Sequence, residues 1–132
     1  MIKKIMIVDD EPDVLISLKA VLEQKNYEVI VVDNGIECIE KIENGFKGVV
    51  LMDLMMPEFD GWDTICEIVN KGLTKNIIIN IITGKGTKDY QKLGSLGSYI
   101  YDYLSKPIDI EQLVKTVEKS YKLKPLKKRP NT

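Results

Sequence analysis

Asp9 and Asp10 follow the apolar run Ile5-Met6-Ile7-Val8, Asp53 follows Gly48-Val49-Val50-Leu51-Met52, and Lys106 follows Tyr99-Ile100-Tyr101-Asp102-Tyr103-Leu104-Ser105 and precedes Pro107. Short runs of this kind, rich in Ile and Val, read as strands. In a parallel sheet the carboxyl ends of the strands share one edge, and ligands bind in the crevice there. Three carboxylates brought to that edge repel one another unless a cation joins them. A divalent metal suits such an all-oxygen set, and a lysine beside it can meet an anion. The combination points to metal-assisted phosphoryl chemistry on an aspartate. The Asp9-Asp10 pair by itself also fits a plain strand-to-helix turn, where acids serve as caps, and Asp13 is a candidate cap for the helix that follows.

The elements that would position these residues are legible as a βα alternation. Five apolar runs, Lys4–Val8, Glu28–Val32, Val49–Met52, Ile77–Ile82 and Tyr99–Leu104, are mostly continuous rather than alternating. That pattern predicts strands buried on both faces. Helical stripes lie between them: Val14, Leu15, Leu18, Val21 and Leu22; Ile36, Ile39 and Ile42, opened by Asp33 or Asn34 as cap; Trp62, Ile65, Cys66 and Val69; and Ile110, Leu113, Val114, Val117 and Tyr121, capped by Asp109. Thr87–Leu96 is the weakest helix, expected to be short and mobile, because Gly94 and Gly97 interrupt a thin stripe. The fold class expected is a three-layer α/β domain, a doubly wound five-stranded parallel sheet with helices on both faces.

A chain of 132 residues is the length of one domain, and 44% hydrophobic residues suffice for its core. The formal net charge of −1 hides an asymmetry. Residues 1–118 carry 13 basic and 20 acidic side chains, whereas Lys119, Lys122, Lys124, Lys127, Lys128 and Arg129 follow with no acid among them. The acidic body argues against direct nucleic-acid binding. The boundaries expected are a domain over 1–122 and a basic, disordered tail or linker over 123–132. Cys38 and Cys66 fit no metal or redox spacing and are expected to be buried, reduced thiols. The N-terminal apolar run is too short for a signal peptide, and nothing approaches the roughly 18 apolar residues of a membrane span, so a cytoplasmic protein without membrane attachment is expected. The absence of histidine excludes histidine acid–base catalysis and histidine metal ligands.

Four segments together resemble the receiver domain of two-component response regulators: Val8-Asp9-Asp10-Glu11-Pro12; Leu51-Met52-Asp53-Leu54-Met55-Met56-Pro57 with Asp60-Gly61; Ile81-Ile82-Thr83-Gly84; and Tyr103-Leu104-Ser105-Lys106-Pro107. The resemblance covers roughly residues 2–121 and implies the flavodoxin-like fold. It implies that Asp53 accepts a phosphoryl group from the phosphohistidine of a sensor histidine kinase or phosphotransfer protein, forming an aspartyl phosphate. It implies Mg2+ (or Mn2+) as cofactor, with Asp10 and Asp53 ligating directly, Asp9 acting through water and the backbone carbonyl of Met55 completing the set. Phosphate binding would fall to Lys106, Thr83 and the backbone of Leu54 and Gly84. A cis Lys106–Pro107 bond would aim the lysine inward, and Thr83 and Tyr103 would form a switch acting on the face of the fourth helix, fifth strand and fifth helix. That face is also a candidate for homodimerisation; the downstream target is unknown. Glu11 is read as a bystander.

Two departures carry consequences. Two extra residues separate Gly97 from Tyr103, so the fifth strand is expected to bulge or start late. Met55 and Lys85 stand two residues beyond Asp53 and Thr83, where the family tunes water access; an apolar Met55 cannot orient water, so modestly slow self-dephosphorylation is expected. Rival readings fit less well. A haloacid-dehalogenase-type phosphatase wants an acid where Met55 stands. A flavodoxin-like cofactor binder wants a Ser-, Thr- or Gly-rich loop where Asp9-Asp10-Glu11-Pro12 stands. Gly84-Lys85-Gly86-Thr87 lacks the spacing of a P-loop. A pseudo-receiver, a phosphorylation-independent interaction module, is the alternative that remains. The expectation is a switch, not an enzyme with an external product.

Overall fold

The computed structural model describes residues 3–84 and 94–122. Five parallel strands, β1 (Lys4–Val8), β2 (Glu28–Val32), β3 (Gly48–Asp53), β4 (Ile77–Thr83) and β5 (Ile100–Ser105), form one sheet in the order β2-β1-β3-β4-β5. Four helices are described: α1 (Pro12–Gln24), α2 (Gly35–Glu43), α3 (Gly61–Asn70) and α4 (Ile110–Tyr121). The helix expected over 87–96 lies outside the described residues except for 94–96, which are helical. The tail 123–132 and Lys85 also lie outside them.

The continuous strand runs are explained by two cores. On one sheet face, Met6, Val8, Val50, Met52, Ile79 and Ile81 pack against Cys38, Ile39 and Ile42 of α2 and Trp62, Ile65 and Ile68 of α3. On the other, Ile5, Ile7, Val49, Leu51, Ile78 and Ile82 pack against Leu18 and Leu22 of α1 and Leu113 and Val117 of α4. Alternate residues of the central strands β1, β3 and β4 feed opposite cores, with Asn80 as the buried polar exception, bonded to the Ser120 hydroxyl. Each fully buried aliphatic side chain contributes on the order of 1.5–3 kcal/mol.

Local chemistry corrects several expectations. Asp13 lies inside the first turn of α1; the cap position is held by Glu11, without a side-chain cap bond, and Pro12 opens the helix. Asn34, not Asp33, caps α2 by accepting from the Glu37 N–H at 2.8 Å. Asp109 caps α4 as expected, and Asp60 and Asp63 form a reciprocal capping box on α3. Ile36 is exposed, and the buried stripe of α2 is Cys38, Ile39 and Ile42. Cys66 is also exposed, since α3 turns Trp62, Ile65 and Ile68 inward. Cys38 is buried, and that burial pushes its thiol up to about 12.

The lead-in to β5 is irregular, as its extra residues suggest. A 3-10 turn over Gly97–Tyr99 precedes the strand. Ile79 then pairs with Ile100 while the next residue, Asn80, pairs with Asp102, so Tyr101 is passed over. The shift reverses the inward–outward alternation. Tyr101 packs on the α1/α4 side and Tyr103 on the α2/α3 side, although an unbroken strand would put them on one face.

Candidate functional site

The strand order reverses direction between β1 and β3, and a sheet of this order opens its ligand crevice beyond those two carboxyl ends. Asp9 and Asp10 follow β1, and Asp53 is the last residue of β3. Carboxylate oxygens from all three lie within 4.8 Å of one another. Asp9 and Asp53 are buried and Asp10 is the more open member.

The two buried acids are held in the same way. Asp9 Oδ1 accepts from the Glu11 N–H at 2.9 Å, and Asp53 Oδ1 accepts from the Met55 N–H at 3.1 Å. Each therefore spends one oxygen on the turn and aims the other into the crevice. Asp9 Oδ2 forms an ion pair with Lys106 Nζ at 2.9 Å. Asp53 Oδ2 is buried with no hydrogen-bond donor, and Lys106 Nζ stands 3.6 Å away. A buried carboxylate oxygen left in this state is costly. A hard cation among the three acids satisfies it, so the donor set fits Mg2+.

The electrostatics report the same crowding. Burial pushes the Asp53 carboxyl up to about 6; Asp9 and Asp10 add to the rise, while the Met55 N–H and Lys106 oppose it. Burial alone would lower Lys106, but the hydrogen bonds it donates to Glu11 and Asp9 and the charges of Asp53 and Asp9 outweigh it and hold the ammonium above its ordinary value.

The remaining expected residues fall around this centre. Lys106–Pro107 is cis. The Lys106 N–H donates to the Thr83 carbonyl at 2.7 Å, joining the ends of β5 and β4. Thr83 is buried at the end of β4, and open space faces the Gly84 Cα. Leu54 is buried directly after Asp53, and its carbonyl accepts from the Gly61 N–H, drawing the start of α3 against the site. Met55 turns its side chain to solvent. The pairs Ile81–Tyr103 and Thr83–Ser105 place Tyr103 diagonally across from Thr83 on the neighbouring strand. Tyr103 is half-buried, and burial raises its phenol.

Glu11 is the residue whose reading changes. Its Oε1 lies 2.8 Å from Lys106 Nζ, the shortest ion pair of that lysine. The clue in the sequence was a third acid directly after Asp9-Asp10, but its partner lies 95 residues away.

Comparison with known proteins agrees with this geometry. The response regulator receiver domain family matches residues 5–118. The protein PilH of Pseudomonas aeruginosa is 32% identical over 114 residues, which is 86% of this chain and 93% of PilH. The response regulator ArlR of Staphylococcus saprophyticus is 34% identical over 94% of this chain but 54% of its own length. The chain thus spans nearly all of one relative and about half of the other. A crystal structure of a CheY-like receiver domain protein from Methanospirillum hungatei superposes with a TM-score of 0.82 at 41% identity, covering 87% of this chain and 90% of that one. Sequence match, fold and the acidic crevice at the β1/β3 reversal converge: the chain belongs to the receiver domain family of response regulators.

Proposed function

We propose that this chain is a phosphorylation-controlled switch whose phosphoacceptor is Asp53. Receiver domains serve phosphoryl-transfer signalling, accept phosphoryl groups from histidine kinases and generally bind Mg2+ at an acidic pocket. The observation that carries the reading for this chain is the buried Asp53 Oδ2, without a donor, beside Asp9, Asp10 and Lys106.

In the proposed reaction an Asp53 carboxylate oxygen attacks the phosphorus of a partner's phosphohistidine. The O–P bond forms, the P–N bond breaks, and the imidazole leaves with the electron pair and takes up a proton. Asp10 and Asp53 would hold the metal directly, Asp9 would act through water, and the Met55 carbonyl would complete the set. Bound Mg2+ supplies positive charge that lets the acids and the phosphoryl oxygens stand together. Lys106 pairs with a phosphoryl oxygen, the Thr83 hydroxyl and the backbone N–H groups of Leu54 and Gly84 donate to others, and exposed Met55 offers no group to orient water.

Engagement of Thr83 by the phosphoryl group vacates space for Tyr103 to turn inward, changing the face that includes β5 and α4. That face meets the downstream target or a second copy. Residues 1–122 form the phosphoacceptor unit, cytoplasmic and directed at protein rather than nucleic-acid partners, with 123–132 as tail or linker. Its self-catalysis is limited to its own phosphorylation and dephosphorylation.

The test is intact mass after incubation with acetyl phosphate, with and without Mg2+, for wild type and Asp53→Asn. One phosphoryl adduct that needs both Mg2+ and Asp53 is expected. No adduct on wild type would favour a phosphorylation-independent interaction module.

A further inference from the structure

We propose that Glu11 is a positioning residue that holds Lys106 off Asp53 until a phosphoryl group arrives; the inference rests on the phosphoacceptor role of Asp53 above. Lys106 Nζ lies 2.8 Å from Glu11 Oε1 and 2.9 Å from Asp9 Oδ2, but 3.6 Å from Asp53 Oδ2. The lysine is thus drawn toward the β1 side of the crevice and stands short of hydrogen-bond reach of the acceptor.

Both ends of this pair are fixed at the backbone, and the Lys106 ammonium is shared between Glu11 and Asp9 Oδ2. The Glu11 N–H is anchored on Asp9 Oδ1, and the side chain makes no cap bond to α1, so its carboxylate is available to Lys106. The Lys106 N–H is anchored on the Thr83 carbonyl, so only the flexible stem need pivot. Glu11 is 60% exposed at its side chain, against 1% for Asp53. Water screens the Glu11 pair, so it is weak and can be broken. A phosphoryl group on Asp53 brings more negative charge into the less screened position and wins the ammonium. Glu11 therefore sets a threshold: Lys106 changes partner when, and only when, the acceptor carries phosphate or its mimic.

The test compares beryllofluoride affinity in Mg2+ for wild type, Glu11→Gln and Glu11→Asp. The aspartate keeps the charge but, one methylene shorter, withdraws it from Lys106. Both variants are expected to bind roughly two- to fivefold more tightly than wild type, the range of a screened ion pair. Unchanged or weaker binding by Glu11→Gln overturns the proposal. So does wild-type affinity in Glu11→Asp alongside tighter binding in Glu11→Gln, because charge alone would then act. In metal-free protein the Lys106 ammonium resonance is expected to shift in both variants, and an unmoved resonance also overturns it. If wild type itself takes no beryllofluoride, the phosphoacceptor reading fails instead, and this inference with it.

Discussion

The backbone N–H of Lys106 donates to the carbonyl of Thr83 across 2.7 Å. This bond fixes where the lysine starts, and the cis Lys106–Pro107 link follows it. Lys106→Ala leaves the buried Asp9 and Asp53 without their cation, a loss expected to cost about 2–4 kcal/mol in metal-free protein. Urea unfolding in EDTA measures it, and saturating Mg2+ is expected to restore most of the difference.

Asp53 predicts a pH dependence of definite sign. Its carboxyl titrates at about 6 in the fold against an ordinary value of 3.8, chiefly through burial. Between those values the unfolded chain releases its proton while the folded chain keeps it, so metal-free stability falls as pH rises through the window and stays low above it. Asp53→Asn removes this loss. In EDTA at pH 7.5 it is expected to be more stable than wild type by on the order of 2 kcal/mol, with the advantage vanishing near pH 4. Equal stability of the two proteins at pH 7.5 would contradict the burial of an ionised Asp53.

Metal affinity should depend on the open acid as well as the buried ones. Asp10→Asn removes one of three charges from the cluster without opening a cavity. Mg2+ binding by calorimetry is expected to weaken roughly tenfold or more, a change of about 1.4 kcal/mol per decade. An Asp10→Asn protein that binds Mg2+ like wild type would remove Asp10 from the ligand set.

Gly61 is expected to be intolerant of any side chain. A Cβ there would lie 2.4 Å from the Asp53 carbonyl oxygen and 2.7 Å from the Leu54 Cα. Both are backbone atoms and cannot swing aside. Gly61→Ala should cost about 1–3 kcal/mol, the usual range for overpacking. Because the push falls on Asp53 itself, phosphorylation by acetyl phosphate should slow more than the stability loss explains.

Much of this molecule follows from its sequence read locally. The bounds of β1 and β2, the Asp109 cap, and the irregular lead-in to β5 all come from nearest-neighbour chemistry: apolar runs, a capping side chain and surplus residues. The convergence of Asp9, Asp10, Asp53 and Lys106 follows once the strands are parallel, because every carboxyl end then meets one edge.

Other features were decided only by the tertiary structure. Periodicity misplaced Ile36 and Cys66, because a stripe shows which residues share a helix face but not how far the neighbouring element covers it. The shift at Tyr101 put Tyr103 beside the α2/α3 core; the surplus residues announce an irregularity, but the pairing with β4 shows which residue is passed over. Glu11 and Lys106 are separated by 95 positions, and their contact exists because the parallel sheet ends β1 and β5 at the same edge. Ion pairing depends on distance in space, and a single sequence records only distance along the chain.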